Sequence, residues 1–458
     1  MKKASIHNLG CKVNAYEAES MEQSLIKAGY EIVPFADDTK ADVVIINTCS
    51  VTNIADHKSR QMLHKAKKLN PDAIVIAAGC YVQGAADEIK KDPAIDIILG
   101  NNKKNDLVKV IAEFEAQRNG EAAPDEAMTD LIDINHDSVY EEMKVESVHE
   151  HTRAYIKVQD GCNQFCTYCI IPYVRGRIRS RKEEDVIDEI TGLVSKGYKE
   201  FVLTGIHLAS FGRDQKDSDA TLLSLIVKVS EIPGVERIRL GSLEPNVITE
   251  EFAKTTSALN NFCPHFHLAL QAGSDSVLHK MNRHYTTEDY MNGVNMLRKY
   301  FNDPAITTDI IVGFPQESEE EFNSTVEFVK QVDFYECHIF KYSKRKGTIA
   351  ESMEGQIEEA EKTRRSSVLL NLTKGQAEKY RKAYIGSETD VLLEEPVKVG
   401  DTMYMTGFTM NYMKVLVPAA DLIVKYAQID PDKLAGQIVH VTLTGESEDG
   451  KALVSELA

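Results

Sequence analysis

Short apolar runs alternate with amphipathic stretches through most of this 458-residue chain. KASIHNLG, DVVIINT, AIVIAAG and IDIILG have the length and β-branched content of buried strands. Helical patterns such as YEAESMEQSLIKAG and DHKSRQMLHKAKKL lie between them. Parallel strands need such long crossovers, so the alternation predicts an open parallel α/β sheet over residues 1–116. Residues 117–147 turn acidic and irregular (QRNGEAAPDEAMTD), which predicts a linker.

A second series follows over 148–376: AYIKVQ, EFVLTG, RIRLGS, FHLALQ, AITTDIIVG and DFYECHIF. Between the first two runs, Val186, Ile187, Ile190, Leu193 and Val194 form one helical stripe, and Gly197 supplies the stop. Six strand–helix units predict a partial parallel barrel. A long polar helix, about 358–384, then leads into short strands and turns. Residues 377–458 are therefore expected to form a small all-β barrel. The chain is an α/β multidomain protein on this reading. It has no run of 18 apolar residues and no apolar segment behind MKKASIHNLG. A cytoplasmic chain without a membrane partner is expected. The net charge of -18 argues against nucleic acid unless a local basic patch overrules it.

Eight cysteines are present, three of them at Cys162, Cys166 and Cys169. Thiolates bind iron and zinc, and three in a tight loop can hold three corners of a cubic cluster. A structural zinc site closes with four ligands, whereas this loop has three and leaves one metal position open. A zinc knuckle is the competing reading. Cys11, Cys49 and Cys80 each stand just past the carboxyl end of an expected strand. Ligands of open α/β sheets gather at that edge. Any one of these cysteines could be a small core residue; together they read as ligands of a second iron–sulfur cluster with an open iron. Cys263 and Cys337 read as core thiols.

CNQFCTYC and the six strand–helix units resemble the radical S-adenosylmethionine (SAM) enzymes. GCKVNAYEAE, CTYCIIPYVRGRIRSR, LTGIHLASFGRD, LALQAGSDSVLHKMNRHYT, IIVGFPQESEEEF, YSKRKGT and MTGFTMNYMKVLV extend the likeness. In that order they make the chain similar, over almost its whole length, to the methylthiotransferases. The resemblance implies two [4Fe-4S] clusters, one on Cys162, Cys166 and Cys169 and an auxiliary one on Cys11, Cys49 and Cys80. It implies that SAM chelates the open iron of the first and is cleaved by an electron from a one-electron reductant. It also implies a C-terminal TRAM barrel that binds RNA. The reaction it implies replaces the hydrogen at adenine C2 with a methylthio group. Cys11-Lys12-Val13-Asn14-Ala15-Tyr16-Glu17 looks like the branch acting on N6-threonylcarbamoyladenosine at position 37, in the tRNA anticodon stem-loop. The isopentenyladenosine branch is the alternative, and a zinc-containing, non-catalytic RNA-binding protein is the alternative of another class.

Tyr168, Thr204, Gly205, Arg239, Ser242 and Glu244 are the expected SAM contacts. Arg175, Arg177, Lys344 and Arg345 are expected at the RNA, with Phe408, Asn411, Tyr412 and Lys414 offering stacking and hydrogen bonds on the last domain. That domain holds twelve acidic and five basic residues after Gly386, so it can meet RNA through one face only. Asn14 and Glu17 have capping-box spacing, which explains Glu17 without a substrate role. His265 and His267 read as hydrogen-bonded barrel residues. Asp309, inside an expected strand, needs a partner or a role.

Overall fold

The computed structural model describes residues 1–118, 126–137, 139–147, 152–425 and 434–458. Residues 119–125 and 138 of the expected linker, and 148–151 around the start of the expected barrel domain, lie outside the described residues.

The N-terminal sheet comprises β1 (Lys3–Asn8), β2 (Glu31–Ile32), β3 (Val43–Thr48), β4 (Ile74–Gly79), β5 (Ile97–Leu99) and β6 (Met128–Asp130). Its order is β2-β1-β3-β4-β5-β6, with every pair parallel. Every residue of β3 and β4 is buried, because crossover helices cover both faces. The edge strands β2 and β6 are too short to leave a sequence pattern. Strand β6 lies within the segment expected to be irregular, and further along it Met143 and Val145 pack into the core. That part of the segment is a folded seam between the first two domains rather than a free linker.

The central domain comprises β7 (Ala154–Asp160), β8 (Arg179–Ser180), β9 (Glu200–Gly205), β10 (Arg237–Leu240), β11 (His265–His267), β12 (Ala305–Val312) and β13 (Glu336–Lys341). Parallel bridges Ile238↔Phe262 and Leu243↔Leu268 join its two sheets at β10 and β11. Six parallel strands thus follow one another as an arc, while β8 is a short antiparallel addition to β7. Outside the arc, the helix Glu183–Val194 buries Val186, Ile190 and Leu193.

The helix Glu359–Ala383 crosses the expected domain boundary without a break. Leu369 packs on the main core, and Tyr380 packs on the core of the last domain. That domain is a closed barrel of β14 (Glu388–Val399), β15 (Thr402–Phe408), β16 (Lys414–Pro418), β17 (Ile438–Glu446) and β18 (Leu453–Leu457), ordered β14-β15-β16-β18-β17. Its β15–β16 turn plugs into the central domain. Phe408 and Tyr412 stack at 4.6 Å, and Tyr412 stacks on His265 at 4.8 Å. Arg153 lies over both rings, and Arg239 lies over Tyr412. Asn411 is buried and donates to the Tyr380 hydroxyl. Phe408, Asn411 and Tyr412 therefore hold domains together instead of facing RNA. Arg239 is likewise not a SAM contact: it bonds Glu200 and the carbonyls of Thr409 and Met410. Strand alternation puts Arg237 beside it on the same face, where it meets the carbonyls of Phe408 and Asp390. Among the described residues, no helix is long and apolar enough to cross a membrane.

Candidate functional site

β1, β3 and β4 are neighbours in the first sheet, and each leads into one cysteine. Cys11 precedes the helix Lys12–Lys27, Cys49 follows Thr48, and Cys80 opens the helix Cys80–Ile89. Adjacent strands lie about 4.8 Å apart, so strand order alone gathers the three thiols at the carboxyl edge. Gly10 permits the approach: its φ is +125°, and a Cβ there would stand 3.2 Å from Cys49 Sγ. On the far side, Arg175 Nε donates to Cys80 Sγ at 3.2 Å.

Cys162, Cys166 and Cys169 share the loop after β7. Its entrance is tight, since a Cβ on Gly161 would lie 1.8 Å from the Arg177 carbonyl oxygen. Phe165 takes a left-handed φ of 51°. Arg283 Nη1 donates to Cys166 Sγ at 3.1 Å and Nη2 to Glu244 at 2.8 Å. His207 Nε2 stands 3.1 Å from the other Glu244 oxygen. Burial pushes the thiols of Cys49 and Cys162 up to about 11 and that of Cys169 up to about 12. It raises Cys11 as well. A metal must displace these protons, and its charge makes that possible.

A buried ion network connects the two triads. Glu17 pairs with Lys104 at 2.6 Å, Lys157 at 2.8 Å and Arg175 at 2.6 Å. Asp160 pairs with Lys157 at 2.7 Å and Arg175 at 3.2 Å. These cations hold the Glu17 carboxyl well below the usual carboxylate range. Two carboxylates thus face four cations, Arg179 included at 3.8 Å. The positive excess beside Cys80 fits the anionic thiolates of a bound cluster.

The capping explanation of Glu17 is corrected here. Cys11 is the N-cap and receives no side-chain cap bond, while Asn14 and Glu17 are buried within the helix. Asn14 ties the carbonyls of Leu9 and Thr48, and Arg175 ties Asn14. The expected RNA role of Arg175 is corrected with it. Arg175, Arg179 and Arg181 are fully buried because Asp160, Glu17 and Glu189 require counter-ions there. Arg177 alone of the strip turns outward, lying over the Phe165 ring. Arg345 is also a buried strut, bonded to Ser50, Asn53 and Asp56 across the domain seam. Lys344 and Lys414 are exposed.

A cavity of about 230 Å³ lies between the cysteine loops. Val51 and Thr52, just beyond Cys49, form one wall; Tyr168, between Cys166 and Cys169, forms another. Gln271, Asp309 and Ile311 come from the barrel strands and their ends. Ser343 and Arg345 also line it. Thr204 is buried beside Gly241, Gly205 abuts Gln159, and Ser242 is exposed. Sequence reasoning missed Arg283, Lys104, Lys157 and Asp160 as parts of the site. Arg283 lies in a family-like stretch, yet no spacing rule ties it to Cys166, 117 residues away.

Residues 3–100 match Uncharacterized protein family UPF0004, and residues 156–329 match the Radical SAM superfamily. The chain is 40% identical to the threonylcarbamoyladenosine tRNA methylthiotransferase MtaB of Bacillus subtilis (strain 168), over 94% of this chain and 93% of that one. It is 35% identical to a tRNA-2-methylthio-N(6)-dimethylallyladenosine synthase of Moorella thermoacetica, over 98% and 99%. The solved structure of TsrM, a radical S-adenosylmethionine methyltransferase of Kitasatospora setae, superposes with a TM-score of 0.56 at 16% identity, covering 74% of this chain and 73% of that chain. That likeness concerns the fold alone.

Proposed function

The chain belongs to the radical SAM tRNA methylthiotransferases, and from that premise we propose that it converts N6-threonylcarbamoyladenosine at tRNA position 37 into its 2-methylthio derivative. The observation that carries the reading is a cavity walled both by Val51 and Thr52, just beyond Cys49, and by Tyr168 of the Cys162–Cys169 loop. One reaction that joins a radical to a sulfur donor needs both centres to face one substrate. The N-terminal triad holds the auxiliary [4Fe-4S] cluster on this reading, and the loop triad holds the cluster that binds SAM. When bound, the second group supplies the electron that cleaves SAM to a 5′-deoxyadenosyl radical.

The chain's own residues prepare that chemistry. Arg175 and Arg283 each donate a charge-assisted hydrogen bond to one ligand sulfur. Glu17 and Glu244 hold the two guanidiniums in place. Tyr168 lines the cavity, Glu244 is tied to the cysteine loop through Arg283, and these two, with Thr204, Gly205 and Ser242, are the residues proposed to meet SAM. Arg177, Lys344 and Lys414 remain for RNA phosphates. No general base is needed to begin, because the adenine C2–H bond is opened by a radical.

The greater identity to the threonylcarbamoyl relative, and the Cys11–Glu17 stretch, favour that substrate over the dimethylallyl one. The experiment is nucleoside mass spectrometry on tRNA from a strain lacking this gene. Loss of the methylthio form of threonylcarbamoyladenosine, with the dimethylallyl form intact, is expected. The reverse loss would reassign the substrate.

A further inference from the structure

His267, Asp309 and His338 stand on β11, β12 and β13, three adjacent strands of the barrel. Register brings them together. His267 lies opposite Thr307, and Asp309, two residues on and so on the same face, lies opposite His338. Their donor atoms all fall within 4.8 Å of one another, the one such group of His, Cys or acidic side chains among the described residues. His267 Nε2 is 3.3 Å from Asp309 Oδ2, and the two imidazoles stack with centroids 5.8 Å apart.

The surroundings set these groups up as ligands. His267 Nδ1 is 3.0 Å from Thr307 Oγ1. In the tautomer that donates Nδ1–H there, the Nε2 lone pair turns toward Asp309, the arrangement that the outer-shell partner of a metal-bound histidine fixes. A lone pair facing a carboxylate oxygen is repulsive unless a cation stands between them. Two ligands on a tetrahedral ion with bonds of about 2.0–2.1 Å stand about 3.4 Å apart, close to the separation found here. A proton would satisfy His267 and Asp309 but would leave the converging His338 unexplained. His338 is exposed, which gives an ion a way in, and Asp309 lines the cavity shared by the cysteine loops. Cys337 points to the other face of β13, into the main core. Two imidazoles and one carboxylate suit zinc, manganese or ferrous ion rather than magnesium or calcium.

We propose that His267, Asp309 and His338 bind one divalent transition-metal ion, separate from both cysteine triads, on the wall of the shared cavity. Three protein ligands leave a further position open toward that cavity. The test uses anaerobic protein with its iron already in place, dialysed against zinc chloride. Elemental analysis is expected to find about one added zinc per chain without loss of iron. The zinc X-ray absorption edge is expected to report nitrogen and oxygen ligands near 2.0–2.1 Å with no sulfur shell at 2.3 Å. His338→Ala removes an exposed side chain, so folding is expected to survive, and zinc affinity is expected to fall at least tenfold. Asp309→Asn is expected to do the same. No added zinc at about 100 μM, a sulfur shell, or unchanged binding in either variant overturns the proposal.

Discussion

The two cysteine triads meet one demand by opposite routes. Cys162, Cys166 and Cys169 are gathered by a single loop, so their grouping is local. Cys11, Cys49 and Cys80 come from three strand ends and meet only when the parallel sheet has formed. Both triads nevertheless carry one arginine on one sulfur: the half-buried Arg283 on Cys166 and the buried Arg175 on Cys80. The arginines differ in origin. Arg283 comes from the barrel that also supplies the loop. Arg175 lies six residues beyond Cys169, yet it reaches into the other domain and binds Glu17 there. The loop that holds one triad therefore continues into the strut that braces the other. Glu17, Asp160 and Arg175 thus form one buried ion network between the triads.

Substituting the two arginines separates these arrangements. Arg175→Met leaves Glu17 and Asp160 short of a cation at full burial, and is expected to cost about 3–5 kcal/mol in denaturant unfolding. It should also lower iron retention at the auxiliary triad. Arg283→Met is expected to cost less, about 2 kcal/mol, because His207 remains beside Glu244. Equal costs would mean that the strut has no special place. Tyr412→Ala removes the plug between Phe408 and His265, and about 2 kcal/mol is expected. Limited proteolysis should then release the C-terminal barrel faster. The smallest effect on stability, within about 0.5 kcal/mol, is expected for Lys344→Ala combined with Lys414→Ala. Filter binding should show weaker tRNA affinity and a salt slope reduced by about two.

The strand-end cysteines were legible because strand, turn and cysteine are adjacent in sequence. The six strands and the final barrel were legible for the same local reason. The direction of a charged side chain was not. Arg175 and Arg177 read as RNA contacts until Asp160, Glu17 and Glu189 are placed beneath RGRIRSR, and all three acids lie on other elements. Glu17 has capping spacing, but its partners Lys104 and Lys157 are 87 and 140 residues away. Phe408 and Tyr412 look like stacking platforms for bases, and His265 and Arg153 occupy them instead. His267, Asp309 and His338 meet through register between strands, which no single-sequence spacing encodes.

The most direct test of the two-centre account compares two triple variants with the unaltered protein, each supplied with SAM, reductant and tRNA. Both 5′-deoxyadenosine and the methylthio nucleoside are measured by mass spectrometry, and iron is measured on the same samples. The variant with Cys162, Cys166 and Cys169 changed to alanine is expected to form neither product. The variant with Cys11, Cys49 and Cys80 changed to alanine is expected to keep about half the iron, to go on forming 5′-deoxyadenosine, and to make no methylthio nucleoside. Methylthio nucleoside from that second variant, or iron equal to that of the unaltered protein, would contradict the account.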